Sequence, residues 1–167
     1  MRSLCSDRTD TRGYGKVTLD NMPLCPDLGR NRTLIFQDYD RERGKERHLP
    51  ASLDALKQAI EGMADDRSST LEIVFPANPN RSMVVNASDG NLAVGALLDD
   101  RGGGLTLIGD ESAEGTIVCI VGGQTVPLPR RYLVNLEDAL AVAEEFFRTG
   151  TVDTLSGRWD GPQGDGT

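Results

Sequence analysis

TLEIVFPANPNRSMVVNASDGNLAVGALLD, residues 70–99, holds three apolar runs separated by two turns. TLEIVF (residues 70–75) is rich in β-formers and stops at Pro76, before the Asn-Pro-Asn turn of residues 78–80. SMVVNAS (residues 82–88) and NLAVGALLD (residues 91–99) flank Asp89-Gly90. Asp-Gly between two apolar runs is a hairpin signal, because both residues tolerate the positive φ that a tight turn demands. The stretch predicts three consecutive antiparallel strands.

The same rhythm continues toward the C-terminus. DDRGGG (residues 99–104) is a turn, LTLIG (105–109) and TIVCIVG (116–122) are apolar runs, and Gly122-Gly123 closes the series. Strands that recur about every ten to twelve residues describe an antiparallel meander. On the N-terminal side, TLIFQDY (residues 33–39) predicts the first strand. DRERGKER (residues 40–47), with Gly44 near its centre, is charged and predicts a turn or hairpin tip, with His48 at its edge.

Two helices frame the strands. Ser52 can accept an orphan N–H of a first helical turn, and Leu53, Leu56, Ile60 and Met63 then fall on one face. That helix ends near Ala64, and residues 65–69 form a loop. Asn135 can cap the second helix, with Glu137 and Asp138 where the helix dipole favours carboxylates. Leu136, Leu140, Ala143 and Phe147 make its apolar stripe, widened by Val142 and Phe146. Gly150 suits the left-handed position that ends a helix. The order β-α-β-β-β-β-β-α predicts an α+β fold, a meander of about six strands packed against two helices. Residues 31–160 read as its single domain, residues 1–30 as a disordered leader without periodicity, and residues 161–167 as a frayed polar tail.

The net charge of −8 is unevenly placed. Residues 1–50 hold 10 Lys+Arg and 8 Asp+Glu, a balance of +2, whereas residues 51–167 hold 8 and 18, a balance of −10. So acidic a domain repels nucleic acid and attracts a basic partner, although acids also serve solubility. No run approaches 18 apolar residues and the N-terminus has no apolar signal core, so the expectation is a cytoplasmic protein with neither a membrane nor a nucleic-acid partner.

Several chemistries lack their residues. His48 is the lone histidine and sits in a charged turn, which leaves no partner for a nucleophilic triad. Cys5, Cys25 and Cys119 form no Cys-x-x-Cys, and no zinc-protease or zinc-deaminase motif occurs. Gly102-Gly103-Gly104 is not followed by Gly-Lys-Ser/Thr, so it reads as a turn and not as a phosphate loop. The expectation is no catalytic residue, no metal and no cofactor. The acid sets are Asp99-Asp100, Asp110-Glu111 with Glu114, and Glu144-Glu145. Glu144 and Glu145 face away from the helix stripe, toward solvent. The first two sets lie at turns of the meander, where neighbouring turns can gather into one acidic rim facing a partner. Asp99, Asp100, Asp110, Glu111 and Glu114 are therefore the candidate binding residues.

YLVNLEDALAVAEEFFRTGTVDTLSGRW, residues 132–159, resembles the closing motif of the first-numbered immunity-protein family of bacterial polymorphic toxin systems. The resemblance is carried by Val134, Asn135, Glu137, Ala139-Leu140, Phe146-Phe147, Thr149-Gly150 and Trp159. DDRGGGLTLIG is similar to the family's glycine-rich middle, whereas residues 33–75 agree only in element order. Family members often carry Arg-Pro after the Thr-Gly, where this chain has Val152-Asp153. The resemblance implies an immunity protein, not an enzyme, that binds and neutralises a cognate secreted toxin such as a nucleic-acid deaminase or nuclease. The motif itself reads as structural: a capped helix on a sheet, a glycine stop, and Trp159 folding back over the helix end. The competing expectation is a regulatory or ligand-binding module of the same α+β frame, which requires a pocket with converging polar groups.

Overall fold

The computed structural model describes residues 32–39, 44–78, 80–98, 103–121, 123–153 and 156–161. The Asp-Gly hairpin forms as its chemistry requires, with φ of 47° at Asp89 and 78° at Gly90. It joins β4 (Ser82–Ser88) to β5 (Asn91–Leu97), and β3 (Ser68–Val74) pairs along the other side of β4, all antiparallel. β1 (Thr33–Asp38) joins β3, β2 (Lys45–Leu49) joins β1, and β6 (Gly104–Leu107) joins β5. β9 (Trp159–Asp160) closes a seven-stranded sheet of order β2-β1-β3-β4-β5-β6-β9. β7 (Thr116–Val121) and β8 (Gln124–Pro129) form a separate two-stranded hairpin.

The fold is α+β with a large antiparallel sheet, as the alternating runs indicate. Three strands depart from the sequence pattern. β2 is KERHL, read from its charge as a turn, and only its approach through Gly44 is one. It is an edge strand held by main-chain pairing to β1, so its side chains carry no alternation signal. β8 contains Pro127 and Pro129, which an edge strand tolerates because one row of its backbone groups faces solvent. β9 is two residues long, and TIVCIVG pairs with β8 instead of extending the meander.

α1 (Leu53–Met63) and α2 (Leu136–Thr149) lie against each other on one face of the sheet. Ser52 Oγ accepts the Ala55 N–H at 3.2 Å, and Asn135 Oδ1 accepts the Asp138 N–H at 2.8 Å, so both caps form. Strand alternation sends Leu34, Leu71, Ile73, Met83, Val85 and Leu107 toward the helices, all fully buried. α1 answers with Leu56, Ile60 and Met63, and α2 with Ala139, Val142, Ala143, Phe146 and Phe147. The Phe75 and Phe146 rings meet edge to face at 5.5 Å. Burying each ring contributes about 2–3 kcal/mol by transfer alone.

α2 ends at Gly150, in the left-handed region with φ 69°, and the Gly150 N–H bonds the Phe146 carbonyl at 2.7 Å. Two arginines, each immediately preceding a strand, also serve this terminus. Arg32 Nη2 donates to the Arg148 carbonyl and Arg81 Nη1 to the Gly150 carbonyl, each at 3.0 Å. Cations there complement the negative end of the helix dipole.

Candidate interaction surface

The acidic turn after β6 is built around Asp110. Its Oδ1 accepts the Ser112 N–H at 2.9 Å and the Ser112 hydroxyl at 2.6 Å, and these bonds hold its carboxyl below the usual range. Glu111 and Glu114 are exposed beside it. The turn is anchored on the 3₁₀ turn Arg130–Tyr132: the Gly109 and Asp110 N–H groups both bond the Arg131 carbonyl, at 2.8 and 3.3 Å. Gly109 is needed for this approach, because a Cβ there would overlap the Leu133 carbonyl oxygen. Arg131 itself bonds Tyr132 OH and Asp160 Oδ2, each at 2.5 Å. The Tyr132 bond leads in raising its pKa, with the Asp160 and Glu111 charges adding.

Of the sequence-predicted acids, then, Asp110 is engaged within its own turn, Glu111 stands near the Arg131 cation, and Glu114 is exposed. Asp99 and Asp100 lie outside the described residues. They precede β6 in the chain, whereas Asp110–Glu114 follow it, so one strand separates the two sets. Glu144 departs from the expected solvated face: its Oε1 bridges to Lys57 Nζ at 2.9 Å, tying α2 to α1. Glu145 is also partly buried, and desolvation first, with Asp153 second, raises its carboxyl pKa.

The motif residues take structural places. Asn135 caps α2, and Glu137 is exposed in its first turn. Leu140 packs half-buried on the core and Phe147 is buried. Trp159, expected over the helix end, instead sits in β9 opposite Leu107 and packs on the core from there. Arg158 Nη2 meets Asp138 Oδ1 at 2.9 Å, in the first turn of α2. Gly150 thus lies at the last turn of α2 and Arg158 at its first.

The face of the sheet opposite the helices carries a second set of side chains. One cross-strand row runs His48, Ile35, Glu72, Val84, Gly95, Thr106, Asp160. Its neighbours include Gln37, Thr70, Asn86 and Leu97, and Thr70 Oγ1 donates to Asn86 Oδ1 at 3.1 Å. The charged strand residues on this side are Glu46, Glu72 and Asp160, since Lys45 and Arg47 have the opposite parity. Glu46 meets His48 at 3.0 Å and Asp160 meets Arg131. Glu72 lies in the middle, and desolvation first, then the Glu46 charge, raises its carboxyl pKa. Turn acids are visible in sequence as pairs. Glu72 is a single acid in a strand, and its only signal is its polar phase in the alternation of TLEIVF.

The β7–β8 hairpin stands over one end of this face. The Ile120 N–H donates to Ser88 Oγ at 3.0 Å, and Gly123 lies against the Tyr39 ring. Cys119 is buried beneath the hairpin, and desolvation raises its thiol pKa. Val118 remains 70% exposed. A cleft of about 390 Å³ opens elsewhere, between α1 and β1–β2, lined in part by Phe36, Leu49, Ala55, Ala59, Asp38 and Arg47. Arg47 covers the Phe36 ring at 4.9 Å. Among the described residues, no three His, Cys, Asp or Glu side chains gather as a metal site, and no helix is long and apolar enough to cross a membrane.

The family model described as immunity protein Imm1 matches residues 45–160, from the start of β2 to the end of β9. No curated protein matches the chain. The match takes in the whole C-terminal motif and the strands of the meander from β3 onward, and it spans more than two thirds of the 167 residues. The chain belongs to the Imm1 family of immunity proteins.

Proposed function

We propose that this immunity protein binds a cognate secreted toxin domain, a nucleic-acid deaminase or nuclease, and neutralises it by covering its substrate cleft with an acidic surface. Family membership carries the immunity part of this reading. The balance of −10 over residues 51–167 supports the choice of toxin, because an enzyme that handles nucleic acid presents cations to phosphates. Inhibition is steric and electrostatic, with no chemistry by this chain, and it takes place in the cytoplasm of the producing cell. The turn acids Asp110, Glu111 and Glu114, and with them the separate pair Asp99 and Asp100, supply the negative charge that steers the basic toxin. Rim charges act on association rate more than on the lifetime of the complex.

The test is co-expression with the toxin domain encoded immediately upstream. Growth should be rescued, and the two proteins should copurify at equal stoichiometry. Toxicity undiminished by the chain sinks the reading. The cleft beside α1 favours the alternative of a ligand-binding module, for which a strong thermal shift with a small molecule is the expected sign.

A further inference from the structure

We infer that the toxin seats on the helix-free face of the sheet, in the corner made with the β7–β8 hairpin, with a toxin Lys or Arg set against Glu72. The inference rests on the immunity reading and assigns the contact surface that reading leaves open.

The two helices leave this face uncovered, and most of its side chains from β1 to β6 are partly exposed, with Ser68 and Ser88 buried at the hairpin end. The 38 residues of the seven strands, at about 4.8 Å between strands and about 3.3 Å along them, make a face of roughly 600 Å². The hairpin brings this close to the roughly 800 Å² that one partner contributes to a standard interface. The large apolar side chains exposed among the described residues are Leu97, 36% exposed, and Val118. Leu97 lies on this face, at the strand end away from Ser88, and Val118 lies on the hairpin bound to Ser88. Leu97 thus offers an apolar contact at one end of the face, with the polar Thr70–Asn86 pair and Glu72 beside it, whereas Val118 lies on the side of β7 opposite the buried Cys119.

Glu72 decides the occupant. Its strand is central, its cross-strand neighbours are Ile35 and Val84, and among the described residues no hydrogen bond or cation reaches its carboxylate. Burial and Glu46 make its charge costly in the free protein. A carboxylate held at such a place is answered by a cation from outside. A second copy of this chain would bring another Glu72 and Glu46 to the contact, and nucleic acid would bring phosphates; both repel. A toxin with a basic cleft brings the missing charge.

The full chain and the upstream-encoded toxin domain are measured by surface plasmon resonance, with inhibition of toxin activity as a second readout. Glu72→Gln should weaken binding on the order of 10-fold or more, chiefly through faster dissociation. It should also raise the melting temperature at pH 7, the opposite sign to loss of a structural residue. Glu72→Lys and Val84→Arg should lose on the order of 100-fold. Glu111→Lys with Glu114→Lys should slow association in a salt-dependent way and leave dissociation near wild type. If the wild type binds and all three face variants bind equally well, the docking face is wrong and the immunity reading stands. If the wild type neither binds nor inhibits, the immunity reading falls, and the face with it. Should Glu72→Lys or Val84→Arg fail to fold, Glu72→Gln decides alone.

Discussion

The Arg32 guanidinium lies 4.7 Å from the centroid of the Phe147 ring, and its Nη2 donates to the carbonyl of Arg148 at 3.0 Å. One side chain from the start of the first strand thus covers a core aromatic and satisfies a terminal carbonyl of α2. Phe75 lies under the same guanidinium at 5.8 Å. Burial lowers the Arg32 pKa, and the ring faces and the carbonyl offset that desolvation.

Arg32→Ala should destabilise the protein by about 1–3 kcal/mol, the range for a hydrogen bond to a charged group with some lost packing. Arg32→Lys should recover only part of the loss, because an ammonium cannot stack flat on Phe147 while reaching the carbonyl. Urea denaturation of the three proteins measures this. Equal stability of Arg32→Ala and wild type would show that the contact contributes nothing.

Gly109→Ala should cost more than about 2 kcal/mol, because the new methyl meets backbone at Leu133 and not a side chain that can turn away. The damage should centre on the Asp110 turn and the 3₁₀ turn beneath it. Hydrogen exchange should show faster opening at Gly109 and Asp110, whose N–H groups bond Arg131. Unchanged protection there would contradict the packing described.

The pH dependence of Glu72 has a definite sign. Its folded pKa is raised, so between the unfolded and folded values the native state holds the extra proton, and stability falls as pH rises through that window. Glu72→Gln removes this loss. Its melting temperature should exceed wild type at pH 7, and the difference should shrink as pH falls through the raised folded value and be gone below about 4.3, the ordinary glutamate value. A wild type that is more stable than the variant at pH 7 would mean that a cation already answers Glu72 in the free protein.

Asn135→Ala should lose about 1 kcal/mol, because the Asp138 N–H then has no side-chain acceptor. Asn135→Asp should stay near wild type, as it can accept the same bond. Thermal denaturation distinguishes them, and a full loss in Asn135→Asp would assign Asn135 a role beyond capping.

The central strands and both helices are legible because each has a one-sided environment. Leu71 and Ile73 alternate with Thr70, Glu72 and Val74 since only one face of β3 is covered by helices. Ser52 and Asn135 announce their helices because an orphan N–H needs a short side-chain acceptor. β2, β8 and β9 are illegible for the converse reason. Lys45, Glu46 and His48 sit on an exposed edge, Pro127 sits on another, and Trp159 is placed by backbone pairing to Leu107. Gly150 ends α2 while Arg158 meets Asp138 in its first turn, a return across the length of the helix that no periodicity in the sequence marks. The turn acids are visible as pairs, but their partners are not: Arg131 faces Glu111 only because the 3₁₀ turn folds under the loop. Glu72 escapes a search for acid pairs because its interest lies in what surrounds it.

The most direct test of the account is the inhibition of the upstream-encoded toxin domain by this chain in a purified assay on nucleic acid. Activity should fall linearly with added chain to zero at one equivalent, and inhibition should weaken as salt rises. Full toxin activity in the presence of excess folded chain would contradict it.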